Sequence, residues 1–311
     1  MKAVYCLRYG PPEVLKLVEA PKPAPGRSDL LIRIHATTVA AGDTRVRSCN
    51  VPALEWIPAR LFLGITRPRR KILGMELSGV VESIGPDVTR FKDGDQVFAF
   101  AGFGFGAYAE YICLPENGQA PTQGLIARKP VNMTYEQAAA IPLGGLAALN
   151  ILRLGGIGKG KKVLIYGASG SVGTFAVQIS VHFGAEVTAV CGPSNIELVK
   201  SLGASIVIDY TRHDFSQSAE RYDLIFDAVD KIPRAKRKVA LAFNGVFVHA
   251  GMARQDRAED LTCLKELAEA GKIRAVIDRT YTLERIAEAH AYVDMGHKRG
   301  NVAITVTGEA R

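Results

Sequence analysis

The sequence predicts an α/β chain of two domains: a β-rich, partly open barrel, then a doubly wound parallel sheet. Three observations predict it. Short apolar segments with β-branched residues, set between Gly, Pro and Asp turns, fill residues 1–125. After them, continuously apolar strands alternate with helical segments, the pattern of a parallel sheet covered on both faces. The length of 311 residues suits one large domain or two ordinary ones.

In the barrel, "MKAVYCL" and "DLLIRIHATTV" read as strands. The proline-rich "PPEVLKLVEAPKPAPG" reads as extended edge and loop, because proline cannot donate to a ladder. "SGVVESIGPDV" and "GDQVFAF" are strands, and "FAFAGFGFGAYAEYICLP" bends at its glycines before entering another. A helix is expected in "TYEQAAAIPLGGLAALNIL", capped by Thr134 with Glu136 and Gln137 in its first turn. Then come the strand "KKVLIYG", the helix "SVGTFAVQISVHFG", the strand "EVTAVC" and the helix "SNIELVKSLG", closed by Gly203. "SIVIDY", "YDLIFDAV" and "GVFVHAG" are further strands. The end reads as the helix "AEDLTCLKELAEAGK", the strand "AVIDRTY", a helix from Thr282 and the strand "NVAITV". This last piece is expected to return to the first domain, giving 1–125 as barrel, 126–270 as sheet domain and 271–311 as the return.

Composition excludes several classes. Hydrophobic residues are 48% and charged residues 23%, an ordinary globular balance. No apolar run reaches the roughly 18 residues needed to span a bilayer, and the start has no apolar stretch of signal-peptide length. The expectation is a cytoplasmic protein with no membrane partner. The five cysteines are scattered without a C-x-x-C pair, so neither a disulfide framework nor a thiolate zinc site is encoded locally. The net charge of +8 gathers in two runs, Arg67–Lys71 and Arg234–Lys238. Neither is interleaved with aromatics, so both read as solvated surface and nucleic acid is not expected as a partner.

"VLIYGASGSVGTFAVQIS" carries the chemistry. Its glycine loop follows an apolar strand and opens a helix inside a βαβ unit, the context in which such a loop holds a dinucleotide. Ala168 takes the first position of the G-x-G-x-x-G pattern, Gly170 the second and Gly173 the third. Gly170 lets the backbone approach the pyrophosphate, Gly173 lets helix and strand pack, and the amides of Ser171 and Val172 face the phosphates. NAD enzymes place an acid about 20 residues on, for the ribose 2′-hydroxyl. Here the second strand ends at Cys191, and the nearest acid, Glu186, sits at its other end. Ser194 and Asn195 offer neutral donors, Lys200 follows on the helix, and Tyr210 and Arg212 come after the third strand. NADPH is therefore expected over NADH.

Together, "ILGMELSGVVESIGPDVTRFKDGDQVFAF", "GAYAEYICLP", "AAAIPLGGLAAL" and the glycine loop resemble the medium-chain dehydrogenase/reductase superfamily. The likeness covers nearly the whole chain, in the family's motif order, and is nearest to the zinc-independent quinone oxidoreductase and enoyl reductase branch. It implies a GroES-like catalytic domain, a Rossmann domain and a cleft between them. Zinc members carry Gly-His-Glu where this chain reads Gly74-Met75-Glu76, and a thioether is a poor zinc ligand. The early ligand loop, "TTVAAGDTRVRS", has no cysteine, and the four-cysteine lobe is absent, so no metal is expected. Without a Lewis acid, alcohol oxidation is hard and reduction of a conjugated carbonyl is easier.

The resemblance extends to single residues. Members often carry Asn where this chain has Ala40 and Thr where it has Ala147, so the usual polar contacts to the nicotinamide are thinned. Thr38 and Asp43 remain, either as catalytic groups or as lining. "DAV", with Val229, and "HAG", with His249 and Gly251, look like the nicotinamide-side loops. His249 is a donor candidate or an ordinary strand-end histidine. "GHKRGNVAITV" resembles the segment that closes the cleft, which puts Lys298, Arg299 and Asn301 near the cofactor. Trp56, in "PALEWIPARLFLGI", belongs to a flap, a lipophilic wall or the core.

After "VFVHAGMARQ" the family runs on for about 20 residues that are nearly absent here. This reads either as a short form or as residues missing between about Gln255 and Ala258, and the second is favoured. The expected function is NADPH-dependent reduction of quinones or enones by a homodimer. The alternatives are a reductase of medium-chain or aromatic carbonyls in the same fold and a non-enzymatic nucleotide sensor or nucleic-acid binder.

Overall fold

The computed structural model describes residues 1–50 and 56–306. Its contacts divide the chain into two units: Met1–Leu143 with Arg257–Lys265 and Ile277 onward, and Gly144–Asp256 with Glu266–Val276.

In the first unit, β1 (Lys2–Cys6) and β2 (Leu15–Glu19) form an antiparallel pair. The long β3 (Asp29–Val39) is central to a seven-stranded sheet. It pairs with β4 (Glu76–Ile84), and beyond β4 lie β5 (Gln96–Phe100) and β7 (Leu125–Arg128). On its other edge, β6 (Tyr111–Pro115) pairs with the first half of β3, and β14 (Asn301–Thr305) with the last residues. β13 (Ile277–Thr282) lies outside β14. Irregular register between β3 and β4 bends the sheet around a core that includes Leu30, Ile32, Ile34, Leu77 and Val97. Two helices without a sequence signature flank the barrel: α1 (Ala41–Ser48) and α2 (Trp56–Leu63).

The expected helix from Thr134 is two helices, α3 (Tyr135–Ala139) and α4 (Pro142–Leu154). Thr134 Oγ1 accepts from Gln137 N at 3.3 Å and Gln137 Oε1 accepts from Thr134 N at 3.1 Å, a complete capping box. Pro142 has no N–H and clashes with the preceding turn, so it opens a new helix. α3 packs on β3 and β4, and Ser78 Oγ donates to Tyr135 O at 2.6 Å. This moves the expected boundary from 125/126 to 143/144.

The second unit contains β8 (Lys162–Tyr166), α5 (Ser171–His182), β9 (Glu186–Cys191), α6 (Ile196–Ser201), β10 (Ile206–Asp209), β11 (Tyr222–Asp227), α7 (Arg234–Ala240) and β12 (Leu241–His249). The five strands are parallel in the order β10-β9-β8-β11-β12, with Val163, Leu164 and Ile165 fully buried. In order of appearance this is 3-2-1-4-5, a doubly wound sheet whose direction reverses between β8 and β11. The sixth strand of the full Rossmann order does not occur among the described residues, so β12 is an edge, with Phe243 94% exposed.

The connection from β12 to α8 (Ala258–Glu269) is short, and Asp256 Oδ1 ties it down by accepting from Asn150 Nδ2 and Arg254 Nε, both at 3.0 Å. The first half of α8 belongs to the barrel unit, earlier than the expected return at 271. α9 (Ile286–Asp294) packs against α1, and Arg47 pairs with Asp294 at 2.8 Å. No described helix is long and apolar enough to cross a membrane.

Candidate functional site

In the α/β unit, β8 delivers the chain into the glycine loop and α5 starts at its end. Gly167 has φ +77°, and a Cβ there would stand 2.7 Å from Val229 Cγ1. A Cβ on Gly173 would stand 2.1 Å from Gly167 O and 2.8 Å from Ala168 Cα, so helix and loop meet only because it is glycine. Gly170 differs: a Cβ would meet nothing nearer than Gly167 O at 3.6 Å. No contact within the chain calls for glycine there. Gly170 is also the N-cap of α5, and no side chain caps the helix. An open backbone beside an uncapped helix start, at the reversal of strand order, fits the pyrophosphate of a dinucleotide. Ala168 is fully buried, its amide donating to Val190 O at 3.1 Å.

Beyond β9, Ser194 and Asn195 occupy one 3-10 turn, Pro193–Asn195. Asn195 Nδ2 donates to Ser169 Oγ at 3.2 Å, and the other end of its amide is buried without a partner. An amide can present either its oxygen or its NH2 to that side. β9 itself ends without a carboxylate: Glu186 opens the strand, Asp209 Oδ1 accepts from Thr211 N and Oγ1 at 2.9 and 2.8 Å, and Glu197, in the first turn of α6, is exposed. Tyr210 is 57% exposed, and its hydroxyl would stand 3.4 Å from a Cβ on Gly192. Lys200 is turned to Glu197 at 3.0 Å in an exposed pair.

Buried Asp227 ends β11 and winds the next loop around its carboxylate, accepting from the amides of Val229, Lys231 and Ile232 at 3.1, 2.8 and 2.7 Å. This seats Val229 on Gly167. His249, at the end of β12, brings Nδ1 within 2.5 Å of Asp230 Oδ1 and stacks on Phe247. A Cβ on Gly251 would stand 2.9 Å from Asp230 Oδ2. Asp230, held at φ +57°, thus gathers the loops of Val229, His249 and Gly251. The sequence reading missed it, although its place one residue past "DAV" was a usable signal.

In the barrel unit, Thr38 Oγ1 donates to Glu76 Oε1, and Leu143 N donates to Oε2 at 2.7 Å. Burial pushes the Glu76 carboxyl up to about 7 against these hydrogen bonds. Asp43 is buried at the start of α1 and its Oδ2 accepts from Ala40 N at 2.9 Å. Burial likewise pushes its carboxyl up to about 7, opposed first by the Ala40 amide and then by nearby Tyr108 and Gly74. Tyr108 Oη lies 3.1 Å from His290 Nε2, and burial with the charge of nearby Arg47 holds that imidazole down at about 3. Asp43, Tyr108 and His290 therefore form one buried constellation, which sequence reading missed because Tyr108 and His290 are 182 positions apart. Met75 is buried, its methyl 3.1 Å from a Cβ built on Gly42.

Lys298 Nζ donates to Gly300 O at 2.5 Å, and burial lowers it to about 8 while Glu76 and Asp278 oppose the shift. Asn301 is buried on β14. Trp56 is 47% exposed at the start of α2, which removes the core alternative; the part of its segment before Trp56 lies outside the described residues. Among the described residues, no group of three or more His, Cys, Asp or Glu side chains is placed to hold a metal ion.

Two family patterns match the chain, the alcohol dehydrogenase GroES-like domain over residues 26–124 and the zinc-binding dehydrogenase over 231–304. The chain is 32% identical to the chloroplastic quinone-oxidoreductase QR1 of Triphysaria versicolor over 344 positions, covering 98% of each protein. That alignment is longer than this chain, so the relative carries residues absent here. The chain is 28% identical to the chloroplastic NADPH-dependent alkenal/one oxidoreductase of Arabidopsis thaliana, covering 98% of this chain and 79% of that protein. Among solved structures, the quinone oxidoreductase of Coxiella burnetii superposes with a TM-score of 0.81 at 28% identity over 99% of both chains. Kinship over almost the full length matches the glycine cradle and the doubly wound sheet: the chain belongs to the medium-chain dehydrogenase/reductase family, among its quinone-oxidoreductase-like members, and is an oxidoreductase that uses a nicotinamide cofactor.

Proposed function

We propose that the chain transfers hydride from NADPH to quinones or α,β-unsaturated carbonyls without zinc. The observation that carries this reading is Gly170, left open beside an uncapped helix start in a chain whose metal-ligand position is Met75. The bound nicotinamide supplies the hydride. A conjugated acceptor spreads the arriving charge onto its oxygen, so the protein's task is positioning with one or two hydrogen bonds rather than Lewis-acid polarisation. Gly170 and the first turn of α5, with Ser171, Val172 and Gly173, hold the diphosphate. Asp227 fixes Val229 over Gly167, and Asp230 holds the loops of His249 and Gly251, which orients the reactive end. Asp43 and Glu76 keep their protons up to about pH 7, so below that pH they put no negative charge beside Thr38.

NADPH is favoured over NADH because β9 ends without a carboxylate and Asn195 keeps one end of its amide unpartnered. The homodimer is favoured by β12, an edge strand with Phe243 outward, and the cytoplasm by five cysteines scattered along the sequence without a C-x-x-C pair. NADPH oxidation against a panel of quinones and enones tests the reading. Turnover with some acceptor is expected. No turnover on any acceptor, with tight RNA binding, overturns it, and a Michaelis constant for NADH at or below that for NADPH overturns the cofactor choice. Light scattering should give twice the chain mass of 33.5 kDa.

A further inference from the structure

We propose that α2 and the basic turn after it form a docking surface for an anionic lipid bilayer. The helix is apolar on its outside. Ile57, Leu61 and Phe62 are 66%, 58% and 52% exposed, Trp56 is 47% exposed, Ile65 just beyond is 67% exposed, and Leu63 is the one buried residue of the helix. A soluble helix turns its apolar stripe to the core, so a contiguous outward cluster marks a site of interaction.

The turn after the helix says what covers it. Gly64 has φ +126°, and a Cβ there would stand 2.0 Å from Arg67 O. Only glycine permits the reversal, which Arg69 N closes by donating to Leu63 O at 2.7 Å. The chain therefore brings exposed Arg67, Arg69, Arg70 and Lys71 back beside the end of the apolar helix. Arg69 and Arg70 line a pocket of ≈ 180 Å3 together with Phe62 and Phe103. Arg60 lies 5.1 Å from the Trp56 ring centroid, and its Nη1 donates to Ile65 O at 2.6 Å, which ties both ends of the cluster together. From Trp56 to Lys71 there are five cations and no acid.

An apolar tip with Trp and Phe, collared by Arg and Lys, matches a bilayer surface, where rings and aliphatic chains enter the headgroup boundary and guanidiniums meet phosphate. A second copy fits less well, because a two-fold contact through this patch sets the two basic turns against each other. Nucleic acid would use the cations but offers no place for Ile57, Leu61 and Phe62. The basic run read from sequence as solvated surface thus acquires a partner.

Trp56 is the chain's only tryptophan, so its emission reports this helix alone. The whole protein is titrated with vesicles of phosphatidylcholine, and of phosphatidylcholine with phosphatidylglycerol, at low and high salt. Anionic vesicles should shift Trp56 emission to the blue and expose it to quenching by brominated lipid, and salt should weaken both effects. Arg69→Glu with Arg70→Glu should weaken partitioning by at least roughly thirty-fold, from about 1 kcal/mol per basic residue. Leu61→Glu should abolish the shift, with melting temperature and circular dichroism checking that both variants fold. Failure of the native protein to partition overturns the proposal, as does unchanged partitioning of the folded variants. A lipid-free blue shift that tracks doubling of mass overturns it in favour of a second copy. None of these readouts depends on turnover.

Discussion

Alanine at Gly170 and alanine at Gly173 should fail in opposite ways. At Gly173 the new methyl would stand 2.1 Å from Gly167 O and 2.8 Å from Ala168 Cα, against a normal separation of about 3.5 Å. The loop cannot yield, because Gly167 is itself covered by Val229. Backbone must move by about 1 Å, and overpacking of this kind costs about 3 kcal/mol, or about 6–12 °C in melting temperature. At Gly170 the backbone is extended, φ −81° and ψ 178°, and the methyl touches only Gly167 O at 3.6 Å. The loss of an N-cap glycine and the reduced freedom of the unfolded chain are each up to about 1 kcal/mol and opposite in sign. The melting temperature should stay within about 2 °C. The methyl would stand where the diphosphate approaches, and loss of one charge-assisted hydrogen bond weakens NADPH binding by about ten- to a hundredfold. The assay is thermal unfolding of both variants with and without NADPH, with fluorescence titration of the cofactor. A saturating ligand adds about 2.7 kcal/mol at a hundred times its dissociation constant, and the same NADPH concentration adds only about 0.4–1.4 kcal/mol after a hundred- to tenfold weakening, so Gly170→Ala should lose about half or more of the native NADPH-induced shift. The reasoning is refuted if Gly170→Ala keeps the native shift, or if Gly173→Ala melts like the native protein.

Three further outcomes are expected. Asn195→Asp puts a carboxylate where β9 has none, and should raise the Michaelis constant for NADPH at least tenfold while changing that for NADH less, as steady-state kinetics with both cofactors will show. The Asp43 carboxyl holds its proton to about 7 when folded and releases it near 3.8 when unfolded. Its stabilising effect is therefore complete below about pH 3.8 and lost as pH rises to about 7. Urea denaturation should show Asp43→Asn losing about 2 kcal/mol less than the native protein between pH 5.5 and 7.5; equal slopes would disprove the burial argument. Overnight dialysis against a strong chelator should leave NADPH-dependent quinone reduction unchanged, and loss of rate restored by zinc would contradict the reading of Met75.

Much of the α/β unit was legible because its signals are local. A strand, a glycine turn and a helix follow one another within "VLIYGASGSVGTFAVQIS", and the apolar runs of β8, β9 and β11 fill whole strands. The capping box at Thr134 was legible for the same reason, although Pro142 divides the helix it opens. α1 was not legible: its N-cap is Ala40, which carries no capping signal, and Asp43 replaces it by accepting from the Ala40 amide. α2 was misleading, since "WIPARLFL" has the composition of a core segment and sits on the surface.

The sequence by itself pointed to a nicotinamide dinucleotide and a doubly wound sheet, and it determined that β9 ends without an acid and that a thioether stands beside Glu76. Those facts depend on residue identity at positions close along the chain. Only the tertiary structure decided that Gly170 is open while Gly173 is closed, that Asp230 gathers two loops, that Asp43, Tyr108 and His290 share one buried site, and that β12 is left as an edge. Each of these depends on which distant segments come within a few ångströms, and spacing along a chain does not encode that distance.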